Sequence, residues 1–408
     1  MTKSHSRNIF LVILLLFPML QPAYFSYCIP LLAKGYDIAG VVSAATVFCL
    51  YFYQLIRKDK RKKVNPALLV LFCFEAWIVV ITALNWQFGT SGIDLPLLLY
   101  IARNGIYALV FGILTEIFAE DIRALLQGCL FVFEILIYSN FITMVLFPNG
   151  LYVSELQALN WVLGFKNSHV VYLLPALCFA MLYRRFETHH YRTNLLIGIC
   201  YASTIIGHSS TTIIGVTIFT LCLLATWKNR TQLMNMASYC VITVVGFFGI
   251  VIFRLQNLLS FFIVDVLHKD LTLTGRTKIW DDSMPLIGEK IWFGHGIRRD
   301  GVRAAELGNP EAVHTHNQYL ELLYIGGMVL LIIFIILVVL CTVRLMRHRS
   351  TWAARVLSAI LFAVLIMMFT DVYNCPTIYM LFVLAWQVPN IIAQENVPPP
   401  IQSENGKG

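Results

Sequence analysis

His314 and His316 stand one residue apart in the segment His314-Thr315-His316-Asn317-Gln318-Tyr319-Leu320-Glu321, just before a long apolar run. Thr315 with Gln318 three positions on fits a capping box, which predicts a helix opening here with His316 in its first turn. The positive end of a helix disfavours an imidazolium, so His316 is expected as a neutral imidazole able to take a proton from a hydroxyl, against the commoner case of a merely interfacial polar residue. Asn317 and Glu321 are four apart and share a helical face. Glu321 is therefore expected to bind substrate or to order Asn317. His314 and His316 could instead ligate a metal, but no third ligand is evident and none is expected to be bound.

A second chemical element precedes these residues, in Thr274-Gly275-Arg276-Thr277-Lys278-Ile279-Trp280. A guanidinium presents a planar fork that matches phosphate oxygens, and glycine lets the backbone approach closely. Arg276 is thus a candidate phosphate holder, against the commoner case of a solvated loop arginine. Glu75, Arg103, Glu134 and Asp371 lie in or at the edge of apolar stretches, where charge is costly and tends to be functional. Glu75 and Arg103 are expected either to pair at mid-depth or to contact substrate.

Composition sets the elements that must position these groups. Of 408 residues, 58% are hydrophobic and only 13% charged, with a mean hydropathy of +0.73; soluble domains run about 25% charged. A bilayer span takes roughly 20 mainly apolar residues, and about twelve stretches answer to this. They are 9–32, 36–56, 66–88, 95–118, 125–147, 168–184, 194–208, 210–227, 234–257, 318–343, 353–373 and 376–393. Residues 194–227 as one helix would measure about 51 Å at ~1.5 Å per residue, so Gly207-His208-Ser209-Ser210 is expected to break it in two. No small-residue cleavage site follows the first run, which is read as a retained helix.

Lysine and arginine give the orientation. The run from Arg57 to Lys63 places its loop in the cytoplasm, and Arg184, Arg185, Arg192, Lys228, Arg230, Arg344, Arg347 and Arg349 fall on the same side. Both termini are then cytoplasmic, and the net charge of +8 is mostly an orientation signal. No soluble basic module stands out, so no nucleic-acid partner is expected. The ten cysteines lie in or beside apolar stretches without a CxxC pair, as buried thiols.

The expected fold is an all-α polytopic membrane protein with one long extracytoplasmic loop containing short helices. An N-terminal bundle (1–257) precedes the loop (258–317), C-terminal helices (318–393) and a cytoplasmic tail (394–408). Phe261, Phe262, Ile263, Val266 and Leu267 suggest a helix at the bilayer interface, and Trp280, Trp292 and Phe293 an aromatic belt. Asp281-Asp282 is not read as a nucleotide-sugar site, because nucleotide sugars are cytoplasmic and this loop is not.

The ordered set Gly275-Arg276 with Trp280, Gly294 and Gly296, His316-Asn317 with Leu320-Glu321, and Gly326-Gly327 resembles the O-antigen ligase and polymerase superfamily. Gly164-Phe165-Lys166-Asn167-Ser168-His169 and Ser209-Ser210-Thr211-Thr212 add to the likeness, which covers residues 160–330. The resemblance implies a metal-independent glycosyltransferase of the bacterial cytoplasmic membrane, without a cofactor. Its partners would be an undecaprenyl-diphosphate-type lipid-linked glycan, a glycan acceptor and membrane lipids. On that likeness Arg276 holds the diphosphate, His316 is base to the acceptor hydroxyl, and Lys166 or Arg103 adds positive charge at the leaving group. Asn167, Asn317, Glu321 and His314 complete the expected substrate contacts. Ligases carry a small or polar residue where this chain has Leu330, three positions after Gly327, and the basic residue expected before the sixth span has no clear match. The reading that follows is a polymerase joining lipid-linked repeat units, with a ligase as alternative. A lipid-oligosaccharide flippase should show repeated halves, and no internal repeat is visible.

Overall fold

Asn65 accepts hydrogen bonds from the Ala67 and Leu68 N–H groups, and Pro66 fills the first helical position, so α4 (Pro66–Leu84) begins sharply. Asp94 with Pro96, and Asp121 without a proline, open α5 (Leu95–Ile117) and α6 (Ile122–Leu146) by the same side-chain capping. The computed structural model of the chain describes residues 3–57, 65–86, 93–154, 158–226, 233–255, 275–308 and 313–395. The expected interfacial helix around Phe261–Leu267 lies outside them.

The remaining helices are α1 (Lys3–Leu16), α2 (Ala23–Cys28), α3 (Pro30–Arg57), α7 (Val170–Tyr183), α8 (Tyr191–Gly207), α9 (Ser210–Thr226), α10 (Met236–Phe247), α11 (Arg276–Glu289), α12 (Asp300–Glu306), α13 (Gln318–Arg347), α14 (Trp352–Met367), α15 (Pro376–Trp386) and α16 (Val388–Glu395). Among the described residues five helices are long and apolar enough to cross a bilayer, or six when the pair α15 and α16, bent by 64°, counts as one span. Shorter apolar helices accompany them, and the architecture is that of an all-α polytopic membrane protein. The only strands among the described residues form a small antiparallel sheet between α6 and α7, β1 (Tyr152–Val153), β2 (Leu159–Trp161) and β3 (Gly164–Phe165).

The apolar stretch 9–32 is not one helix, as the sequence reading had it. Pro18, Pro22 and Pro30 interrupt it, since each lacks a backbone donor and crowds the preceding turn, leaving α1, a short turn and α2. The break at His208 is present: α8 ends at Gly207, His208 adopts φ +46°, and α9 starts at Ser210.

α14 and α15 form the centre and are almost wholly buried. Around them α13 packs on α4, α9 on α14, α5 on α15, and α6 on α1 and α7. In lipid this packing is held by van der Waals contact more than by a hydrophobic drive, because acyl chains are as apolar as leucine. Side chains such as Leu31, Ile56 and Ile335 point outward instead. Arg192 holds Glu134 with two hydrogen bonds of 2.7 and 2.6 Å. The expected Glu75–Arg103 pair does not form. Arg103 pairs with Asp37, which α3 brings against α5, and Glu75 packs against Gly105.

α13 carries a deliberate interruption. Gly327 adopts φ +63° and ψ −162° and breaks the helical ladder. The freed groups are met by the segment after α11: His295 N–H donates to Tyr324 O (2.7 Å), Gly296 N–H to Ile325 O (2.9 Å), and Met328 N–H to Ile291 O (2.8 Å). Trp77 Nε1 donates to Gly326 O at 3.0 Å. Broken helices are tolerated at membrane depth only with such replacement partners.

Candidate active site

Asn317 caps α13, its Oδ1 accepting from the Tyr319 and Leu320 N–H groups at 3.0 and 3.1 Å. The expected cap at Thr315 is therefore corrected: asparagine is the better capping residue here, and Glu321 reaches back two residues further, to the Thr315 N–H (2.9 Å). His316 consequently precedes the cap, outside the first turn, with φ +48°. His316 therefore does not lie in the field of the first turn as expected.

Instead a carboxylate faces the histidines. Asp371, in the turn between α14 and α15, lies with Oδ1 at 3.7 Å from His316 Nδ1 and 3.8 Å from His314 Nε2. The two rings are 4.1 Å apart. His314 Nδ1 accepts the His316 backbone N–H at 3.1 Å, so a neutral His314 carries its hydrogen on Nε2, toward Asp371. Burial pushes His314 down from its ordinary value, and the neighbouring His316 adds to this. Burial pushes the Asp371 carboxyl up, but the facing His316 and His314 and the Val372 N–H outweigh it and hold the group below its ordinary range.

Arg276, half-buried, opens α11 after Gly275, whose φ is +80°. Tyr373 feels the charges of both Arg276 and Asp371. Burial raises the Tyr373 phenol well above its ordinary value, Asp371 raises it further, and the positive Arg276 opposes them. Both charges thus act on one phenol, whose hydroxyl has no hydrogen-bond partner among the described residues. Arg254 steadies the first turns of α11: its Nη2 donates to Thr277 O (3.3 Å) and Asp281 Oδ1 (2.5 Å), and its guanidinium lies over the Trp280 ring. His208, Arg254 and His316 are the non-glycine residues with positive φ among the described residues, and such backbone strain concentrates at functional sites.

Beneath the histidines lies a buried network. Arg303 from α12 donates to Glu321 Oε2 (3.2 Å) and lies over the Tyr324 ring. Tyr324 and Arg298 both bond Glu306. Asn317 and Glu321, expected to touch substrate, have these side chains engaged within the protein; Asn317 Nδ2 also donates to Phe369 O at 3.1 Å.

Lys166 and Asn167 sit elsewhere, in the turn Lys166–His169 after β3. Asn167 Oδ1 accepts from Ser209 Oγ at 2.8 Å, tying this turn to the break between α8 and α9. Arg103 lines a separate cavity with Asp37. The structure therefore brings His314, His316, Glu321 and Asp371 together, with Arg276 within electrostatic reach of Tyr373, and leaves Lys166, Asn167 and Arg103 in other settings.

Asp371 also supplies the third group that the sequence reading lacked for a metal: one ligand atom from each of His314, His316 and Asp371 lies within 4.8 Å of the others. Two imidazoles and a carboxylate suit a divalent cation by donor type, and the same spacing is ordinary for histidines facing a carboxylate. Sequence spacing missed Asp371, Arg254 and Arg303. Asp371 had shown itself only as a charge at the end of an apolar stretch.

No curated protein matches the chain. Residues 195–335 match the family model described as O-Antigen ligase, a stretch running from α8 into α13 and including Arg276, His314 and His316. Over this stretch, about a third of the chain, the protein is similar to the O-antigen ligase family, within a multi-pass membrane architecture.

Proposed function

We propose that the protein is a polymerase that joins polyprenyl-diphosphate-linked repeat units of a surface polysaccharide at the extracytoplasmic face of the cytoplasmic membrane. The observation that carries the chemistry is the His316–Asp371 pair, with Arg276 acting on the neighbouring Tyr373. The acceptor hydroxyl attacks the anomeric carbon of the donor, and the bond from that carbon to the diphosphate breaks. The hydroxyl proton passes to Nε2 of His316, and Asp371 at Nδ1 stabilises the imidazolium that forms. Charge grows on the departing lipid diphosphate, where the fixed guanidinium of Arg276 offsets it as a metal ion would. Asn317, Glu321 and Arg303 act as positioning residues, holding the backbone at Thr315 and His316.

The Leu330 position favours a polymerase over a ligase, and the family match is compatible with both, so the second reading is transfer of a finished glycan to another acceptor. Gel analysis of the polysaccharide from cells carrying Arg276→Ala or His316→Ala separates them. Single repeat units on the surface indicate a polymerase, and long chains retained on the carrier lipid indicate a ligase. Wild-type polymer from both variants overturns the mechanism. A chelator should leave turnover of purified enzyme unchanged; loss of activity, restored by a divalent cation, would assign His314, His316 and Asp371 to a metal instead.

A further inference from the structure

A cavity of about 320 Å³ opens between α3, α5, α7 and the start of α15. Its walls combine the Asp37–Arg103 ion pair, the amides of Asn104 and Asn374, and the rings of Tyr107 and Tyr172. Small-molecule pockets run from ~300 to 1,000 Å³, so the volume suits a short piece of glycan and not a long one. Charge decides the ligand class. The sequence reading gave Arg103 to a phosphate, but its guanidinium is matched by Asp37, and Glu75 lines a small adjoining cavity with Asn104 and Asn374. With no net positive charge on these walls, a diphosphate would be poorly held. Planar amides, a carboxylate–guanidinium pair and aromatic faces are instead the groups that meet the hydroxyls and apolar faces of sugar rings. Arg103 Nε and Tyr107 Oη are buried without a hydrogen-bond partner among the described residues.

The cavity is joined to the candidate active site by one short piece of chain. Gln318, next to the cap of α13, donates to Asn374 Oδ1 (2.6 Å) and accepts from the Tyr373 N–H (2.7 Å). Asp371 and Asn374 are three residues apart, at most ~10 Å of extended backbone. One end of this turn faces the histidines, and the other lines the cavity.

We propose that this cavity is a subsite for uncharged sugar rings of the glycan substrate, separate from the diphosphate held near Arg276. The inference rests on the glycosyltransferase reading and adds where the sugars sit. Donor and acceptor both offer this chemistry, and the experiment separates them. Cys375 lines the cavity and reports on it. The purified wild-type protein in nanodiscs is alkylated with N-ethylmaleimide, and the rate at Cys375 is read by peptide mass spectrometry. The probes are the intact lipid-linked repeat unit extracted from the host and the free oligosaccharide released from it by mild acid. Protection of several-fold by the free oligosaccharide, retained in Arg276→Ala, is expected and assigns the cavity to the acceptor sugars. Protection by the lipid-linked form alone, lost in Arg276→Ala, assigns it to the donor sugars. Equal rates with and without both probes overturn the proposal. Asn104→Trp, which fills the cavity, should remove whatever protection is seen while the melting temperature stays near wild type. Persistence of protection in a folded Asn104→Trp protein also overturns it. These labelling rates do not depend on turnover, so the subsite can fail while Arg276→Ala and His316→Ala still abolish polymer, and the reverse.

Discussion

On the proposed mechanism Asp371, 3.7 Å from His316 Nδ1, stabilises the imidazolium and leaves Nε2 for the substrate. Asp371→Asn keeps the shape and removes the charge. Turnover is expected to fall on the order of 10²-fold, the lower end of what general base catalysis contributes, and Asp371→Glu should recover part of it. Kinetics on purified enzyme with extracted donor would read this, and unchanged turnover in Asp371→Asn would remove the carboxylate from the mechanism. His295 gives a separate, pH-dependent handle. Its Nε2 donates to Leu286 O at 2.7 Å and its ring stacks on Tyr324. Burial lowers its ionisation range, with the Leu286 bond opposing. A histidine depressed in the folded state contributes stability that is complete above its unfolded value, about 6.5, and is lost as pH falls through the folded one. The melting temperature should therefore drop on acidification below that point, and His295→Gln should flatten the drop. These pairings were not legible in the sequence. Asp371 and His316 are joined only by the return of α14 past the start of α13, and no spacing rule reaches across a folded-back helix.

At the level of elements, the sequence reading expected about twelve spans, whereas five or six helices among the described residues are long and apolar enough to cross, with shorter apolar helices beside them. It erred where one residue outweighs the pattern: prolines cut the first stretch, and Asn317 displaced Thr315 as the cap. The glycines of the family pattern were legible as a pattern but not as a cause. Gly294 and Gly327 are needed because the segment 291–296 lies directly on the interrupted α13. A Cβ on Gly327 would fall 2.3 Å from the Trp292 carbonyl carbon and oxygen, and one on Gly294 would fall 2.4 Å from Ile325 O. Gly327→Ala should cost about 1–3 kcal/mol for the strained backbone and about 1–3 kcal/mol for overpacking. Gly288→Ala in α11, where a Cβ meets nothing within 4 Å, should be neutral or slightly stabilising. Thermal unfolding in detergent compares the two, and equal melting temperatures would refute the joint.

Across the whole molecule, the charges within the membrane hold helices in register. Glu134 in α6 meets Arg192 at the start of α8 with both carboxylate oxygens. Glu134→Gln should lower the melting temperature by leaving Arg192 without its counter-charge. The double variant Glu134→Leu with Arg192→Leu should recover much of the loss, since replacing both partners by apolar groups is often neutral. A double variant no better than the single one would show that the pair acts through something other than charge. The interruption of α13 reaches furthest. Its 30 residues would measure about 45 Å as an unbroken rod, well beyond the ~30 Å hydrocarbon layer. Rewinding at Gly327 would evict the segment 291–296 that now occupies its carbonyls. Any lengthening of α13 would thus come at the loss of its contacts with the segment that joins α11 to α12.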